Sequence, residues 1–419
     1  MRKDSQVSNK KIIVGLDVGT TKVCTIVGSV EATPTSQEID IIGIGNHPSH
    51  GLKKGAVVNI DNTIRSIQSS LEEAKLMAGT EIESAVIGIA GSHIYSFNSS
   101  GVVPIKGHEI TEEDITRVLE AAKAVVMPSD RQVLHVIPQE FKVDNTAGIK
   151  NPIGMHGVRL EASVHIVTGS IPLIQNLVKC VQATGVAVDQ IMLQPLASSL
   201  SVLGEEERDM GVVLIDIGGG TTDIAIWKDG DLIHSQIIPV GGNHFTNDLA
   251  VALKTSHNEA ERLKVNHGSV IKLSTESDGK IKVKGLSDST ERTVDQHKIT
   301  LVLGARADEL FSIISKIIEE KIPHEAINGG IVITGGGALI KGMAELCEFK
   351  TNLPAKIGLP ISFGGMTNIM KNPKYSTVLG LLLESSKSGE PVEYEEEREG
   401  EDLFSKVSSS ITSIFKEIF

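Results

Sequence analysis

The sequence reads as an α/β protein made of two duplicated domains, with a segment inserted into the first and an amphipathic helix at its C-terminus. Three observations predict this class. A short pattern occurs twice, around Asp17 and around Asp216: an apolar strand runs into Asp-x-Gly and a threonine pair, and a second apolar strand follows. A third glycine cluster, Gly335-Gly336-Gly337, closes the apolar run Ile331 to Thr334. The last residues repeat apolar side chains at helical spacing after an acidic stretch.

The two copies are Asp17-Val18-Gly19-Thr20-Thr21-Lys22 and Asp216-Ile217-Gly218-Gly219-Gly220-Thr221-Thr222. Glycine lets a turn bring bare backbone N–H groups against an anion, and threonine hydroxyls add donors, so each copy reads as a phosphate cradle. The aspartates repel phosphate and are expected to hold a hydrated divalent cation, Mg, that bridges to it. A single Asp-x-Gly between strands is also an ordinary hairpin signal. Two matched copies point instead to duplicated domains that clamp a nucleotide between them. Alone, the Gly335 to Gly337 turn reads better as a strand-to-helix turn needing positive φ, but the order of the three clusters places it along the adenosine.

Composition narrows the function classes. Hydrophobic content of 40% in 419 residues is enough for real cores, most simply in two domains. A net charge of −13 and 3% aromatic residues offer neither a basic stripe nor stacking platforms, which argues against nucleic acid. Cys24, Cys180 and Cys347 lie far apart, without zinc or disulfide spacing, and His47 and His50 flank Pro48 with no carboxylate cluster nearby. The first apolar run is broken at Asp17, so neither a signal peptide nor a membrane span is expected. No Gly-x-x-x-x-Gly-Lys or strand-linked Gly-x-Gly-x-x-Gly occurs, which excludes P-loop and dinucleotide enzymes.

Along the chain, a strand is expected over Ile39 to Gly45, and then a helix capped by Asp61 with Ile64, Ile67, Leu71, Ala74 and Ala78 on one face. Residues 84–166 read as an inserted subdomain, with a capping box Thr111/Asp114 opening a helix. The first domain is expected over 11–83 and 167–205, the second over 206–242 and 309–384, and a small lobe over 243–308. In that lobe Glu261 and Lys264 share a helix face, as site residues or as a solvated pair. Before the lobe, Val240-Gly241-Gly242-Asn243 ends a strand, with Gly242 taken as a cofactor-binding residue. Residues 385–402 have the composition of a self-repelling linker. Beyond it Leu403, Phe404, Val407, Ile411, Ile414, Phe415, Ile418 and Phe419 recur every three to four residues, an arrangement that reads as an interfacial membrane anchor on a tether.

The paired cradles and the Thr334-Gly335-Gly336-Gly337 turn resemble the superfamily of actin, Hsp70 and sugar-kinase ATPases. Within it, His135-Val136-Ile137-Pro138-Gln139-Glu140, Lys150-Asn151-Pro152-Ile153-Gly154, Leu196-Ala197-Ser198-Ser199 and the amphipathic C-terminus resemble the FtsA family of actin-like bacterial division proteins. The resemblance covers nearly the whole chain from about residue 11 and weakens in 268–298 and in the linker. It implies an actin-like ATPase fold, ATP and Mg, self-assembly into filaments, and attachment of the FtsZ ring to the cytoplasmic membrane at the septum. It further implies that the FtsZ C-terminal tail docks on the small lobe and that other division proteins bind, through the insert among other routes. By motif, Glu261 and Lys264 match the adenine-side helix, and Gln194 falls where actin orients the attacking water, although Pro195 departs from actin. The competing readings are a pilus- or secretion-associated actin-like adaptor and a sugar or acid kinase, for which no catalytic carboxylate motif is found.

Overall fold

The computed structural model describes residues 11–32, 37–272, 279–285, 291–361, 363–366 and 371–387. The terminal helix expected at 403–419 and most of the linker before it lie outside these residues. Two compact units divide the chain: residues 1–201 with 360–419, and residues 202–359.

The first unit comprises β1 (Lys11–Val18), β2 (Lys22–Ala32), β3 (Gln37–Pro48), β4 (Leu52–Lys53), β5 (Ala56–Val57), α1 (Ile60–Ala78) and β6 (Ser84–Ile89). There follow β7 (Tyr95–Pro104), α2 (Glu112–Lys123), β8 (Arg131–Val143), β9 (Thr146–Ile149), β10 (Arg159–Ser170), α3 (Ile171–Gln182), β11 (Ala187–Leu193) and α4 (Gln194–Val202). The second unit holds α5 (Glu205–Met210), β12 (Val212–Ile217), β13 (Thr222–Lys228), β14 (Asp231–Ile238), α6 (Gly242–Ala252), α7 (His257–His267), β15 (Lys280–Lys284) and β16 (Glu291–Asp295). It continues with α8 (Gln296–Lys321), β17 (Ile331–Thr334), α9 (Met343–Thr351) and β18 (Ala355–Ile357). The chain then returns to the first unit as β19 (Gly364–Gly365) and α10 (Ser376–Lys387).

The two main sheets share one topology. In the first the order is β11-β6-β1-β2-β3-β19, and in the second β18-β17-β12-β13-β14. β1 pairs antiparallel with β2 and parallel with β6, and β12 pairs antiparallel with β13 and parallel with β17. Both central strands carry continuous apolar runs because helices cover both faces of such a sheet; all six residues of β12 are buried. The turns after β1 and β12 therefore occupy equivalent places, and so do the turns after β6 and β17. Duplication, read from two short motifs, extends to the whole sheet.

Local chemistry fixes the covering helices. The Asn59 side chain caps α1, accepting from Asn62 N–H at 2.9 Å, and Gly79 ends it in the left-handed conformation. Asp61, expected as the cap, sits in the first turn, where its charge still suits the helix dipole. Ile67, Leu71 and Ala74 bury the inner face of α1. The inserted four-stranded antiparallel sheet, order β7-β10-β8-β9, packs α2 on one face around Phe141, Leu160, Val118 and Leu119. The capping box forms as read: Thr111 Oγ1 accepts from Asp114 N–H, and Asp114 Oδ2 accepts from Thr111 N–H. β6 lies in the parent sheet between β1 and β11, and the insert's own sheet starts at Tyr95.

α10 packs on β1 of the first unit, with Val378, Leu379 and Leu382 joining Ile13, Cys24 and Ile26 in one core, whereas the sequence had grouped residues to 384 with the second domain. Two glycines permit close packing of α10: a Cβ on Gly15 of β1 would stand 2.7 Å from the Val378 carbonyl, and one on Gly380 would stand 1.7 Å from the Ala197 carbonyl of α4. Ser385 to Lys387, expected in the linker, complete this helix.

Candidate functional site

The two Asp-x-Gly turns are built alike. Gly19 N–H donates to the Lys22 carbonyl at 3.0 Å, and Gly218 N–H donates to the Thr221 carbonyl at 2.9 Å, closing each turn two residues past its aspartate. Asp17 pairs across the strands with Cys24 and Asp216 with Asp223, so both carboxylates leave their sheet at the same register. Both are buried, at 7% and 5% exposure. A carboxylate so withdrawn from water needs hydrogen-bond donors or a cation beside it.

In the first unit, Gln194 opens α4 and its Nε2 donates to Asp17 Oδ1 at 2.8 Å. Gly88 on β6 makes the seat, since a Cβ there would press to 3.1 Å from Gln194 Cγ. Leu193 N–H, one residue earlier, donates to His135 Nε2 at 3.0 Å. Thr20 Oγ1 accepts from Gly55 N–H at 3.2 Å, which leaves the hydroxyl proton free to donate, and the Thr21 side chain is exposed. Lys22 turns away from this group. Its ammonium donates to the Lys374 carbonyl and lies 4.6 Å from the centroid of the Tyr375 ring, tying the Asp17 turn to the segment that begins α10.

In the second unit the glycine cluster after β17 packs against the Asp216 turn. Gly335, at φ 83°, lies so close that a Cβ would stand 2.2 Å from Asp216 Oδ1, and one on Gly337 would stand 2.3 Å from Ile217 Cγ2. A Cβ on Gly336 would meet nothing within 4 Å, so its face is open. α6 starts on the same turn: Gly242 N–H donates to the Gly218 carbonyl and Asn243 N–H to that of Gly219, each at 2.8 Å. Thr221 is buried, and Thr222 Oγ1 donates to the Val240 carbonyl at 2.8 Å, so that hydroxyl braces the turn from within. Gly220 is buried beside them.

Glu261 and Lys264 lie one helical turn apart on α7 and meet at 2.8 Å. Lys264 Nζ also donates to the Gly242 carbonyl at 3.1 Å and to Thr246 Oγ1 at 2.8 Å, and Thr246 Oγ1 bonds Glu261 as well. Burial works to raise the Glu261 carboxyl, but the bonds from Lys264 and Thr246 and the lysine charge outweigh it and hold it below the usual carboxylate range. The pair is thus wired to Gly242 and the start of α6.

Sequence reasoning gave no site role to Gly88, and named His135 only within a motif that carries the family resemblance. Gly88 carried a signal, being a glycine inside an apolar strand, which marks close approach. His135 carried none, because a histidine in a strand has no spacing that announces its partner.

The duplicated sheets and their glycine turns define an actin-like ATPase fold. Among solved structures, a PilM-PilN type IV pilus biogenesis complex matches with a TM-score of 0.65 at 16% identity, covering 89% of this chain and 98% of that one. MreB5 of Spiroplasma citri bound to ADP matches with a TM-score of 0.55 at 18% identity, covering 89% and 95%. At such identities the likeness concerns fold alone. Sequence goes further: a family model for the cell division protein FtsA matches residues 213–380, and one for the SHS2 domain inserted in FtsA matches 91–168. FtsA of Pseudomonas aeruginosa is 45% identical over 379 residues, 90% of each chain. FtsA of Borreliella burgdorferi is 42% identical over 409 residues, 96% of this chain and 95% of the relative, and that of Escherichia coli K12 is 38% identical over 382 residues, 90% of each. The chain belongs to the FtsA family of cell division proteins.

Proposed function

We propose that this chain is an ATP-binding division protein that polymerises at the cytoplasmic membrane, tethers the FtsZ ring to it and helps recruit the septation machinery. Family membership carries this reading, and the matched turns at Asp17 and Asp216 support its nucleotide part. MreB5, of the same fold, is described with ADP and with AMPPNP bound.

The residues fit such a ligand. Each turn sets a buried carboxylate beside glycine backbone, and the Gly336 face is open. Among the described residues no three His, Cys, Asp or Glu side chains group as a cage for a metal. A magnesium ion would then be held by Asp17 or Asp216 through water, drawing its other ligands from solvent and phosphate, which is the habit of that ion. When bound, it would neutralise phosphate charge. Gln194, which donates to Asp17 through Nε2, keeps its amide oxygen to orient a water. No strong general base accompanies it in this account, so hydrolysis is slow where it occurs.

Membrane attachment rests on the apolar residues from Leu403 to Phe419, which lie outside the described residues. Among the described residues no helix is long and apolar enough to cross a membrane. The small lobe of 243–308 would receive the FtsZ C-terminal tail, and the insert would meet other division proteins. The six-part division of the chain read from sequence is kept as a proposal, apart from β6 and α10, which join the first unit. Imaging a fluorescently tagged copy in dividing cells tests the function: a midcell band is expected, and a diffuse signal independent of division would contradict it.

A further inference from the structure

The motif that opens with His135 has no role in the account so far. His135 lies on β8 of the inserted sheet and is buried at 6% exposure. Its Nε2 accepts the N–H of Leu193, the last residue of β11. β11 is the terminal strand of its sheet, paired only with β6, so its outer edge has no neighbouring strand to receive N–H groups. Leu193 is itself buried at 1% exposure. A donor hidden at a strand edge must find an acceptor within the protein, and His135 is the acceptor it finds. The next residue is Gln194, whose Nε2 reaches Asp17 Oδ1 at 2.8 Å. Gly88 bounds that side chain on the side of β6.

We propose that His135 is a positioning residue for the first phosphate turn: by holding the Leu193 N–H it sets where α4 begins, and so seats Gln194 on Asp17. The inserted domain thereby sets the geometry of a residue group that lies outside it. This inference rests on the nucleotide function proposed above, but the placement itself is testable without nucleotide. The imidazole serves as a neutral acceptor. Burial pushes its pKa down to about 4, which keeps Nε2 unprotonated across the physiological range.

The test uses the full chain in five forms: wild type, His135→Phe, His135→Gln, Gln194→Ala and His135→Phe combined with Gln194→Ala. Phenylalanine keeps the ring and removes the acceptor, whereas glutamine carries an amide oxygen about as far from Cα as Nε2. Hydrogen exchange is read at the Leu193 amide without nucleotide, and ATP affinity and phosphate release are read separately. Expected is a rise in Leu193 exchange of about tenfold in His135→Phe, the scale of one lost hydrogen bond to a buried donor, and its reversal in His135→Gln. Phosphate release should fall to the level of Gln194→Ala with ATP affinity nearly kept, and the double variant should fall no further, because both changes act through one side chain. Should His135→Phe not fold, His135→Met removes the same acceptor with a more adaptable side chain. Unchanged Leu193 exchange in whichever of these folds, or additive losses in the double variant, would overturn the positioning role. A wild-type chain that binds no ATP would instead overturn the nucleotide function, and Leu193 exchange would then decide the placement alone.

Discussion

Gly335 and Asp216 are packed so closely that a single methyl group on the glycine would stand 2.2 Å from Oδ1 of the carboxylate. The glycine that ends β17 thus fixes where the aspartate of the second turn can be. A Cβ on its neighbour Gly336 would meet nothing within 4 Å, and the contrast separates a glycine required by the fold from one whose face is open.

Gly335→Ala should therefore damage both folding and binding. Its left-handed φ of 83° and the clash together should cost about 1 to 3 kcal/mol of stability. ATP affinity should drop about tenfold or more as Asp216 is displaced. Gly336→Ala should leave the melting temperature unchanged and weaken ATP alone. Thermal unfolding and nucleotide titration of the two variants check this; equal behaviour of both would contradict it.

Removing the α7 ammonium should loosen the small lobe. In Lys264→Met the Gly242 carbonyl, Thr246 and Glu261 lose a shared donor, and a charge-assisted network of this kind is worth about 1.5 to 3 kcal/mol. Glu261→Gln should cost less, because its side chain is 43% exposed and water can serve the remaining groups. Denaturant unfolding of the two variants gives the order, and a larger loss in Glu261→Gln would reverse the assignment.

Acid should destabilise the first unit through its buried histidines. Folded His135 stays neutral down to about 4, whereas the unfolded imidazole takes up a proton near its ordinary value of 6.5. Between these values the unfolded state binds the extra proton, so stability falls as pH is lowered through that window, by up to about 1.4 kcal/mol per pH unit for one proton. His93 adds in the same direction, since burial and the nearby Arg131 charge lower it to about 4, and neither ring nitrogen has a hydrogen-bond partner. Stability of His135→Gln measured from pH 7 to 4.5 should show a shallower slope than the wild type. An identical slope would remove His135 from the pH response.

The central strands and the turns that carry Asp17 and Asp216 were legible because their chemistry is local: β1 and β12 are continuous apolar runs, and an Asp-x-Gly turn shows in a few adjacent residues. Long-range choices were not legible. α10 is apolar enough to cover either sheet, and Gly15, which looks unremarkable in sequence, admits it to β1, as Gly380 admits it to α4. Lys22 reads as a phosphate ligand by its place in the motif, yet its ammonium reaches the Lys374 carbonyl, far along the chain. Thr222 likewise belongs to the pattern and spends its hydroxyl on Val240. The seat of Gln194 is assembled from β1, β6 and β8, which no window of sequence displays together.

The helix proposed for residues 403–419 should be a marginal anchor that works in numbers. Eight large apolar side chains at about 1.5 to 3 kcal/mol each give a gross gain of roughly 12 to 24 kcal/mol. Ordering the helix costs about 1 to 2 kcal/mol per residue, a similar total in part recovered by its hydrogen bonds. Lys406 and Lys416 are its only basic residues and Glu417 opposes them, so attraction to anionic lipid is modest. Neighbouring helices in a filament raise one another's effective concentration at the surface. Phe415→Glu, or deletion from Leu403 onward, should release the protein from liposomes with ATP binding intact, and wild-type cosedimentation should rise steeply with concentration. Equal binding by Phe415→Glu, or a linear rise, would contradict the anchor and the avidity respectively.

We propose above all that nucleotide binding depends on both the Asp17 turn and the Asp216 turn, and titration of Mg-ATP into three folded proteins tests this most directly: wild type, Asp17→Ala and Asp216→Ala. Saturable one-to-one binding by the wild type, with affinity lost or lowered by about a hundredfold in each variant, is the predicted result. Unchanged affinity in either variant would contradict the claim.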